Sequence, residues 1–244
     1  MKILDLNILP FTYDEILKII HNSISKRSHL SISYVNVFIA LKARREKAFR
    51  DLLDGFSLLH ADGIGIYLAS RFLWKNKGLP QRITGTDLYY QILKLAETKG
   101  YGIFFWGGGT TASEALRKKL KQEFPSLKVT GSLSREIKSK DEVLEQLNHS
   151  ESEILFLGLG TPSQEKWIAT HGKKCNIPIK ICVGSGIDFL AGTYPRAPML
   201  FRKVGFEWLY RMFIEPKRLW KRYLIGNPIF IYSIVKQKLF SIKD

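Results

Sequence analysis

The stretch that decides the fold is ILFLGLGTPSQEKW, residues 154–167. A short apolar run typical of a buried strand is followed by a glycine turn and then by a polar segment of helical composition. The same succession recurs at 102–124, and another strand-like run, 179–183, also ends in a glycine turn. This alternation predicts an α/β fold with a Rossmann-like, mainly parallel sheet flanked by helices.

Outward from that stretch, further elements follow from composition, hydrophobic period and capping residues. Strands are predicted at 33–39, 102–106, 127–131, 154–158 and 179–183, with a short one near 56–60. Helices are predicted at 13–23, 42–53, 65–72, 87–99, 113–124, 140–148 and 163–171. With 244 residues, 45% of them hydrophobic, the chain suits one main core plus an appendage. We therefore divide it into an α/β core, 1–195, and a C-terminal appendage, 196–244.

The charge of the chain indicates an anionic partner. The formal net charge is +16, and such an excess favours nucleic acid, anionic lipid headgroups or diphosphates without choosing among them. Residues 196–244 hold eleven basic and three acidic residues, a net +8, interleaved with aromatic side chains. That mixture predicts a basic, amphipathic, helical appendage of the kind that lies at a membrane interface.

Other features bear on location and on metal binding. The longest apolar stretch, 223–235, is interrupted at 226–228 and is shorter than the roughly 20 residues of a spanning helix, so membrane contact is expected to be peripheral. Acidic residues near the start, including Asp5 and Asp14, disfavour a signal peptide and favour a cytoplasmic location. Cys175 and Cys182 lack neighbours at metal-ligand spacing and are interpreted as reduced, packed thiols.

Glycine clusters end several of the predicted strands, at 107–109, 158–160 and 184–186. Ligands of open α/β sheets bind beyond the carboxyl ends of strands, where helix N-termini offer N–H groups to phosphate. Gly107, Gly108 and Gly109 fit a dinucleotide motif, but the acidic residue expected about 20 positions later is replaced by KVTG at 128–131. No cluster continues as a P-loop. A diphosphate cradle or an ordinary tight turn remains open for each cluster.

Asp62 is the strongest catalytic candidate. It lies at a predicted strand end, next to Gly63 and ahead of a helix, where a carboxylate could take a proton from an attacking hydroxyl. The alternative is a helix N-cap. The preceding His60 is more simply a packed histidine than a titrating one.

Two further segments could bind a nucleotide. Arg82 could bind phosphate oxygens or form a surface ion pair, while the nearby Asp87 is most simply an N-cap. Gln164 and Glu165 would lie in a first helical turn facing the cleft, either contacting the nucleotide or serving as capping residues behind Ser163. The sequence has no D-x-D motif, so we expect no metal and no cofactor, with helix N-termini and arginines meeting the leaving-group charge.

With these residues in view, the sequence resembles the WecG/TagA/CpsF glycosyltransferase family (glycosyltransferase family 26) over most of its length, from about Val35 to Pro228. The resemblance is carried by short segments, of which the last three in chain order are the most specific. The segments are DGIG (62–65), RITGTDL (82–88), FWGG (105–108), LGLGTPSQEKW (157–167), DFLAG (188–192), RAP (196–198), and EWLYR (207–211) running to EPKR (215–218) and RY (222–223).

The resemblance implies an inverting, metal-independent transfer of a hexose or N-acetylhexosamine, such as N-acetylmannosamine. The donor would be a UDP-sugar and the acceptor a polyprenyl-diphosphate-linked sugar, at the inner face of the bacterial cytoplasmic membrane, in cell-surface polysaccharide synthesis. A nucleic-acid-binding α/β protein and an NAD-dependent oxidoreductase are the alternatives, and self-association into a homo-oligomer is left open.

The resemblance also implies roles for individual residues. Asp62 would be the base, and Tyr34 departs from the small hydroxyl residue that often stands at its position. Substrate would be bound by Asn36 and Arg82, which line the site, by Gly107, Gly108, Gly109 and Gln164, with Glu165 beside it, at the nucleotide, and by Arg211, Arg218 and Arg222 at the diphosphates.

Overall fold

The computed structural model describes residues 1–137 and 140–240. The strands are β1 Lys2–Ile3, β2 Leu6–Asn7, β3 Leu30–Val35, β4 Leu58–Ala61, β5 Ile103–Gly107, β6 Val129–Leu133, β7 Ile154–Gly158 and β8 Ile179–Cys182. The helices are α1 Tyr13–Ser25, α2 Val37–Arg45, α3 Lys47–Asp54, α4 Ile64–Trp74, α5 Gly85–Lys99, α6 Thr110–Glu123, α7 Lys140–His149, α8 Ser163–His171, α9 Gly186–Ala191, α10 Met199–Val204, α11 Glu207–Ile214, α12 Pro216–Trp220 and α13 Gly226–Phe240. A 3₁₀ turn, Lys75–Lys77, follows α4, and a π-helical turn, Lys221–Ile225, joins α12 to α13.

The main sheet has six strands in the order β4-β3-β8-β7-β5-β6, and every neighbouring pair is parallel. This confirms the predicted Rossmann-like arrangement of a parallel sheet flanked by helices. The chain leaves β3 toward one edge of the sheet and β5 toward the other. Connections that depart in opposite directions open a crevice at the carboxyl ends of the central strands, which is where α/β proteins bind ligands.

Alternation along the strands buries both faces of the sheet. In β5, Phe105 packs with residues of α5 and α6 such as Leu88 and Leu116. The adjacent Phe104 points to the other face and packs with Val143 and Trp167 of α7 and α8. A strand buried on both faces has a continuous apolar sequence, which explains why runs such as ILFLG in β7 identified the sheet.

The strand predicted at 33–39 is displaced in the structure. β3 ends at Val35 and α2 begins at Val37, with Asn36 between them as the N-cap. The side-chain Oδ1 of Asn36 accepts a hydrogen bond from the backbone N–H of Ile39 at 3.1 Å. Because the sequence from Val35 to Leu41 is largely apolar, its period does not show this boundary. The correction places Asn36 at a strand end, beside the crevice.

Other predictions differ in smaller ways. The helix predicted at 42–53 is two helices, α2 and α3, because Glu46 between them has an extended backbone. The strands near 56–60 and 127–131 are present as β4 and β6, each shifted by about two residues. The small antiparallel β1–β2 pair and the short buried helix α9 were not predicted.

The C-terminal segment is helical, as predicted, and its last helix is fixed to the core. Phe230 and Ile234 of α13 are buried in the same apolar cluster as Ile66 of α4. The side chain of Gln237 accepts a hydrogen bond from the backbone N–H of Leu4 at 2.8 Å. α10 to α12 therefore form a cover that is held between the core at one end and α13 at the other.

Candidate active site

A cavity of about 1200 Å³ lies beyond the carboxyl ends of the central strands. One side is formed by the loops after β3, β4, β7 and β8 together with α9, and we call it the strand-end wall. The opposite side is formed by α10, α11, α12 and the π-helical turn, and we call it the C-terminal cover. The cavity-lining residues that carry charge are Asp62, Arg82, Arg135, Asp188, Arg202, Glu207, Arg211, Arg218 and Arg222.

Asp62 lies directly after β4 and faces this cavity. Its Oδ1 accepts a hydrogen bond from the backbone N–H of Gly85 at 2.9 Å, and its Oδ2 accepts one from Asn36 Nδ2 at 3.3 Å. The N-cap of α4 is Gly63, so Asp62 does not cap its own helix but contacts the first residue of α5 instead. A carboxylate that is oriented by two donors and open to a cavity is well placed to accept a proton.

His60 lies behind this carboxylate and is buried. Its Nδ1 is 2.9 Å from the carbonyl oxygen of Ala61, and burial lowers its pKa. The structure thus agrees with its interpretation as a packed histidine. Since burial favours the neutral imidazole, His60 places an uncharged side chain, and not a cation, next to Asp62.

Arg82 lines the cavity but makes its contacts with the backbone of the C-terminal cover. It donates to the carbonyl oxygens of Arg202 at 2.6 Å and Lys203 at 3.3 Å, near the end of α10. Asp87, expected to be an N-cap, lies in the first turn of α5, whose N-cap is Thr84. Asp87 accepts hydrogen bonds from Thr84 and from Arg196. Arg82, which precedes α5, and Arg196, which is paired with Asp87 of α5, therefore join this part of the core to the C-terminal segment.

The glycines 107–109 end β5 and precede α6 but do not line the cavity. A Cβ at Gly107 would lie 2.5 Å from the backbone of Gly158, so glycine is required where β5 and β7 approach. A Cβ at Gly108 would lie 3.6 Å from Asp188 Oδ1, which does reach the cavity. The glycine turn therefore lies beside Asp188, next to the site but not in it.

Gln164 and Glu165 lie in the first turn of α8, as predicted, but both are fully buried and neither lines the cavity. Gln164 Oε1 accepts from the backbone N–H of Gly184 at 3.0 Å, and its Nε2 donates to Glu165 Oε1 at 2.9 Å. Thr161 Oγ1 also donates to Glu165 Oε1 at 3.0 Å. The pair thus fixes the two loops carrying Thr161 and Gly184, which do line the cavity. The N-cap of α8 is Pro162 rather than Ser163.

The arginines of the C-terminal segment are brought to the same cavity as Asp62. Arg211 Nη2 donates to Ser185 Oγ at 3.2 Å, and its guanidinium lies 4.8 Å from the ring centre of Phe189. The guanidinium of Arg222 lies 4.6 Å from the ring centre of Phe38. Arg218 forms a two-bond ion pair with Glu215 at 2.6 and 2.8 Å. A guanidinium that stacks on an aromatic ring, or that pairs with a carboxylate along one edge only, keeps other N–H groups that can bind phosphate oxygens.

Comparison with known proteins decides the family. The sequence model of the family described as "Glycosyl transferase WecG/TagA/CpsF family" matches residues 1–244, the whole chain. The chain belongs to this glycosyltransferase family. The N-acetylglucosaminyldiphosphoundecaprenol N-acetyl-beta-D-mannosaminyltransferases of Staphylococcus aureus strains MRSA252 and NCTC 8325 / PS 47 are each 31% identical to it over 211 residues. Those matches cover 86% of this chain and 82% of each relative. Neither the nucleic-acid-binding nor the oxidoreductase alternative is supported.

Sequence reasoning missed several residues of this glycosyltransferase's cavity. Arg135 lies 3.4 Å from Asp188, and burial raises the pKa of Asp188 while Arg135 opposes that shift. Glu207, at the start of α11, also faces the cavity, and burial raises its pKa, with Asp62 adding to the effect and Arg196 opposing it. Asp188 and Glu207 stand in segments that carry the family resemblance. That position was the available signal, although nothing in the sequence placed them beside Asp62.

Tyr34, in β3, also lines the cavity, and its side chain is half-buried. Burial, together with the nearby Glu165 and Asp62 carboxylates, raises the pKa of Tyr34 to about 12, so the phenol is neutral. A Cβ at Gly184 would lie 2.7 Å from the phenol oxygen. The side chain therefore fills space between β3 and β8 that a small hydroxyl residue would leave open to a ligand.

Over residues 1–137 and 140–240, no group of three His, Cys, Asp or Glu side chains is arranged to hold a metal ion. Within the same ranges, no helix has both the length and the apolar character that crossing a bilayer requires.

Proposed function

We propose that this glycosyltransferase moves a hexose or N-acetylhexosamine from a UDP-sugar to a polyprenyl-diphosphate-linked sugar, with inversion and without a metal ion. The relatives' sugar, N-acetylmannosamine, and their acceptor, N-acetylglucosaminyl diphosphoundecaprenol, are the first substrates to test. The observation that carries the proposal is a single cavity with Asp62 on one wall and Arg211, Arg218 and Arg222 on the other.

In this proposal Asp62 is the general base. It takes the proton of an acceptor hydroxyl as that oxygen bonds to the anomeric carbon of the donor sugar. The bond from the anomeric carbon to the UDP oxygen breaks in the same displacement, and its electron pair leaves on the diphosphate. One displacement from the opposite face inverts the anomeric configuration.

Charge on the leaving diphosphate would be met by guanidinium groups and backbone N–H groups. Arg211 is anchored to Ser185 on the strand-end wall, so its remaining N–H groups face a fixed point of the cavity. Asn36 orients Asp62, and Arg82 fixes the end of α10 above it. Gly107, Gly108 and Gly109 do not line the cavity and would act indirectly, by shaping the turn beside Asp188, which would face the nucleotide. Gln164 and Glu165 would hold the neighbouring loops from behind.

We also propose a division of roles along the chain, with 1–195 binding the donor and 196–244 contacting the acceptor and the membrane. The second segment has large apolar side chains at its surface, including Phe213 and Trp220, beside its basic residues. Each basic side chain near an anionic surface contributes about 1 kcal/mol, so several would hold the enzyme there reversibly. A peripheral position at the inner face of the cytoplasmic membrane follows as a proposal, and self-association stays a prediction.

Activity is tested by incubating the protein with UDP-N-acetylmannosamine, UDP-N-acetylglucosamine or UDP-glucose and an N-acetylglucosaminyl diphosphate lipid. The expected result is a glycosylated lipid with one donor, with inverted anomeric configuration by NMR and a rate unchanged by EDTA. Retained configuration or loss of activity in EDTA would overturn the mechanism. Absence of transfer from every donor would overturn the proposed substrates.

Membrane contact is tested by sedimentation with anionic and neutral liposomes across a salt series. The double variant Lys217→Glu and Lys221→Glu changes two exposed residues of the C-terminal cover. Lys118→Glu with Lys121→Glu makes the same charge change on α6, far along the chain. We expect only the first pair to weaken salt-sensitive binding to anionic liposomes, and equal loss in both pairs would contradict a specific docking surface.

A further inference from the structure

The cavity has an apolar extension that the transfer reaction itself does not use. Leu68 and Phe72 lie four residues apart on one face of α4 and are 57% and 50% exposed. Ile231 and Val235 lie four apart on α13 and are 61% and 41% exposed. All four line the same cavity as Asp62. We call the space between these two pairs the α4–α13 groove.

The walls of this groove are fixed rather than loosely placed. Next to Ile231 and Val235 on α13, Phe230 and Ile234 also line the cavity and are buried with Ala69 of α4 in one apolar cluster. Lys238 Nζ donates to the carbonyl oxygen of Leu73 at 2.6 Å, which ties the far end of α13 to α4. Fixed walls with exposed apolar side chains are typical of a preformed binding surface for an apolar ligand.

The groove begins where the polar part of the cavity ends. α4 starts at Ile64, two residues after Asp62, and its axis rises about 12 Å between Ile64 and Phe72. On the opposite side, Arg222 lies in the π-helical turn that leads directly into α13. A ligand that passes from Asp62 along Arg222 therefore meets first a carboxylate, then a cation, then apolar side chains.

That order matches the order of groups in a polyprenyl-diphosphate-linked sugar. The sugar hydroxyl belongs at Asp62, the diphosphate at the arginines, and the hydrocarbon beyond them. We propose that the α4–α13 groove binds the first isoprene units of the acceptor's polyprenyl chain. The proposal rests on the proposed function. The groove would then bind the hydrocarbon of the acceptor directly. This binding is separate from any attraction of the C-terminal cover to a membrane.

The test measures the kinetics of sugar transfer in the absence of a lipid bilayer. The acceptors carry the same sugar diphosphate and differ only in the attached hydrocarbon, which is methyl, geranyl, farnesyl or undecaprenyl. For the wild type we expect kcat/KM to rise from methyl to farnesyl and then to level off. Leu68→Ser and Val235→Ser should each lower kcat/KM for the farnesyl acceptor about tenfold, since each removes roughly one buried aliphatic contact. Both variants should match the wild type on the methyl acceptor.

Leu239→Ser is the matched control, because Leu239 is also on α13 and 61% exposed but does not line the cavity. It should leave kcat/KM unchanged for every acceptor. Equal losses in Leu68→Ser and Leu239→Ser, or a wild type indifferent to hydrocarbon length, would overturn the groove. Failure of the proposed function looks different, because the wild type would then transfer sugar to none of the acceptors.

Discussion

The two sides of the cavity are built in opposite ways. In the strand-end wall, every residue of α9 is buried, and the loops are fixed by hydrogen bonds from the core. In the C-terminal cover, α10 and α11 lie wholly within the described chain, and none of their residues is buried. In the proposed mechanism the strand-end wall would fix the reacting groups, while the cover would supply charge and an apolar surface to a substrate that must enter and leave.

The proposed difference between the strand-end wall and the C-terminal cover is tested most strongly at Asp62. Asp62→Asn keeps the acceptor atom for the Gly85 N–H but removes the base, so kcat should fall by at least about 10²-fold. The KM for the donor should change little, because the lost interaction belongs to the transition state. Asp54→Asn, at an exposed position at the end of α3, is the control. A turnover within a few-fold of the wild type would show that Asp62 is not the base.

The next largest effect is expected from the cover. Arg222→Ala should raise the KM for the lipid acceptor by roughly tenfold to a hundredfold, since a hydrogen bond to a charged group contributes about 1.5–3 kcal/mol. Because Arg222 would bind the acceptor rather than take its proton, kcat should change less than in the Asp62 variant. Lys217→Ala removes a neighbouring exposed charge that does not line the cavity and should have little effect. Equal changes in the two variants would mean that only overall charge matters.

Asn36 allows stability and catalysis to be separated within the strand-end wall. Asn36→Ala removes the cap of α2 and the donor to Asp62, and it should cost about 1 kcal/mol of unfolding free energy as well as activity. Asn36→Asp keeps a good capping residue but places a second carboxylate beside Asp62. Stability should then be largely retained, while the acid limb of the pH–rate profile moves to higher pH because one of the two carboxylates must hold a proton.

Thermal unfolding and pH–rate profiles of both Asn36 variants provide the measurement. If Asn36→Asp kept the wild-type profile, the contact at 3.3 Å would have no part in orienting or tuning the base. If Asn36→Ala were as stable as the wild type, the capping hydrogen bond would be dispensable.

The sequence was sufficient to predict the sheet and the position of Asp62. Strands buried on both faces are continuous apolar runs, and an acidic residue directly after such a run indicates a strand end. The sequence was not sufficient for Asn36, because apolar residues continue through the boundary between β3 and α2. Local pattern cannot show where a strand ends when the next helix is equally apolar at its start.

Tertiary placement explains the remaining differences at the site. Gln164 and Glu165 are polar residues in a first helical turn, a pattern that suggested exposure toward the cleft. Their burial depends on Gly184, twenty positions later, which donates its N–H to Gln164. The α4–α13 groove likewise requires two helices more than 150 residues apart to meet, as the bond from Lys238 to Leu73 shows. The hydrophobic period of either helix alone does not show that the two helices meet.

The smallest expected effect concerns the rigidity of the strand-end wall. Glu165 is fully buried, and its Oε2 has no hydrogen-bond partner within the described part of the chain. Burial raises its pKa above the ordinary value of 4.5, although hydrogen bonds from Gln164 and Thr161 oppose the shift. The folded protein therefore holds this proton more tightly than the unfolded chain does.

A group whose pKa is raised by folding contributes its full stabilisation below the unfolded pKa, and that contribution is lost as pH rises through the folded pKa. We expect the unfolding free energy of the wild type, relative to Glu165→Gln, to decrease from about pH 4.5 upward and then become constant. The exposed Glu145→Gln is the control and should leave the pH dependence as it is. Urea unfolding across this pH range measures the difference. A difference that stays constant with pH would show that the loops carrying Thr161 and Gly184 are fixed without stabilising a proton on Glu165.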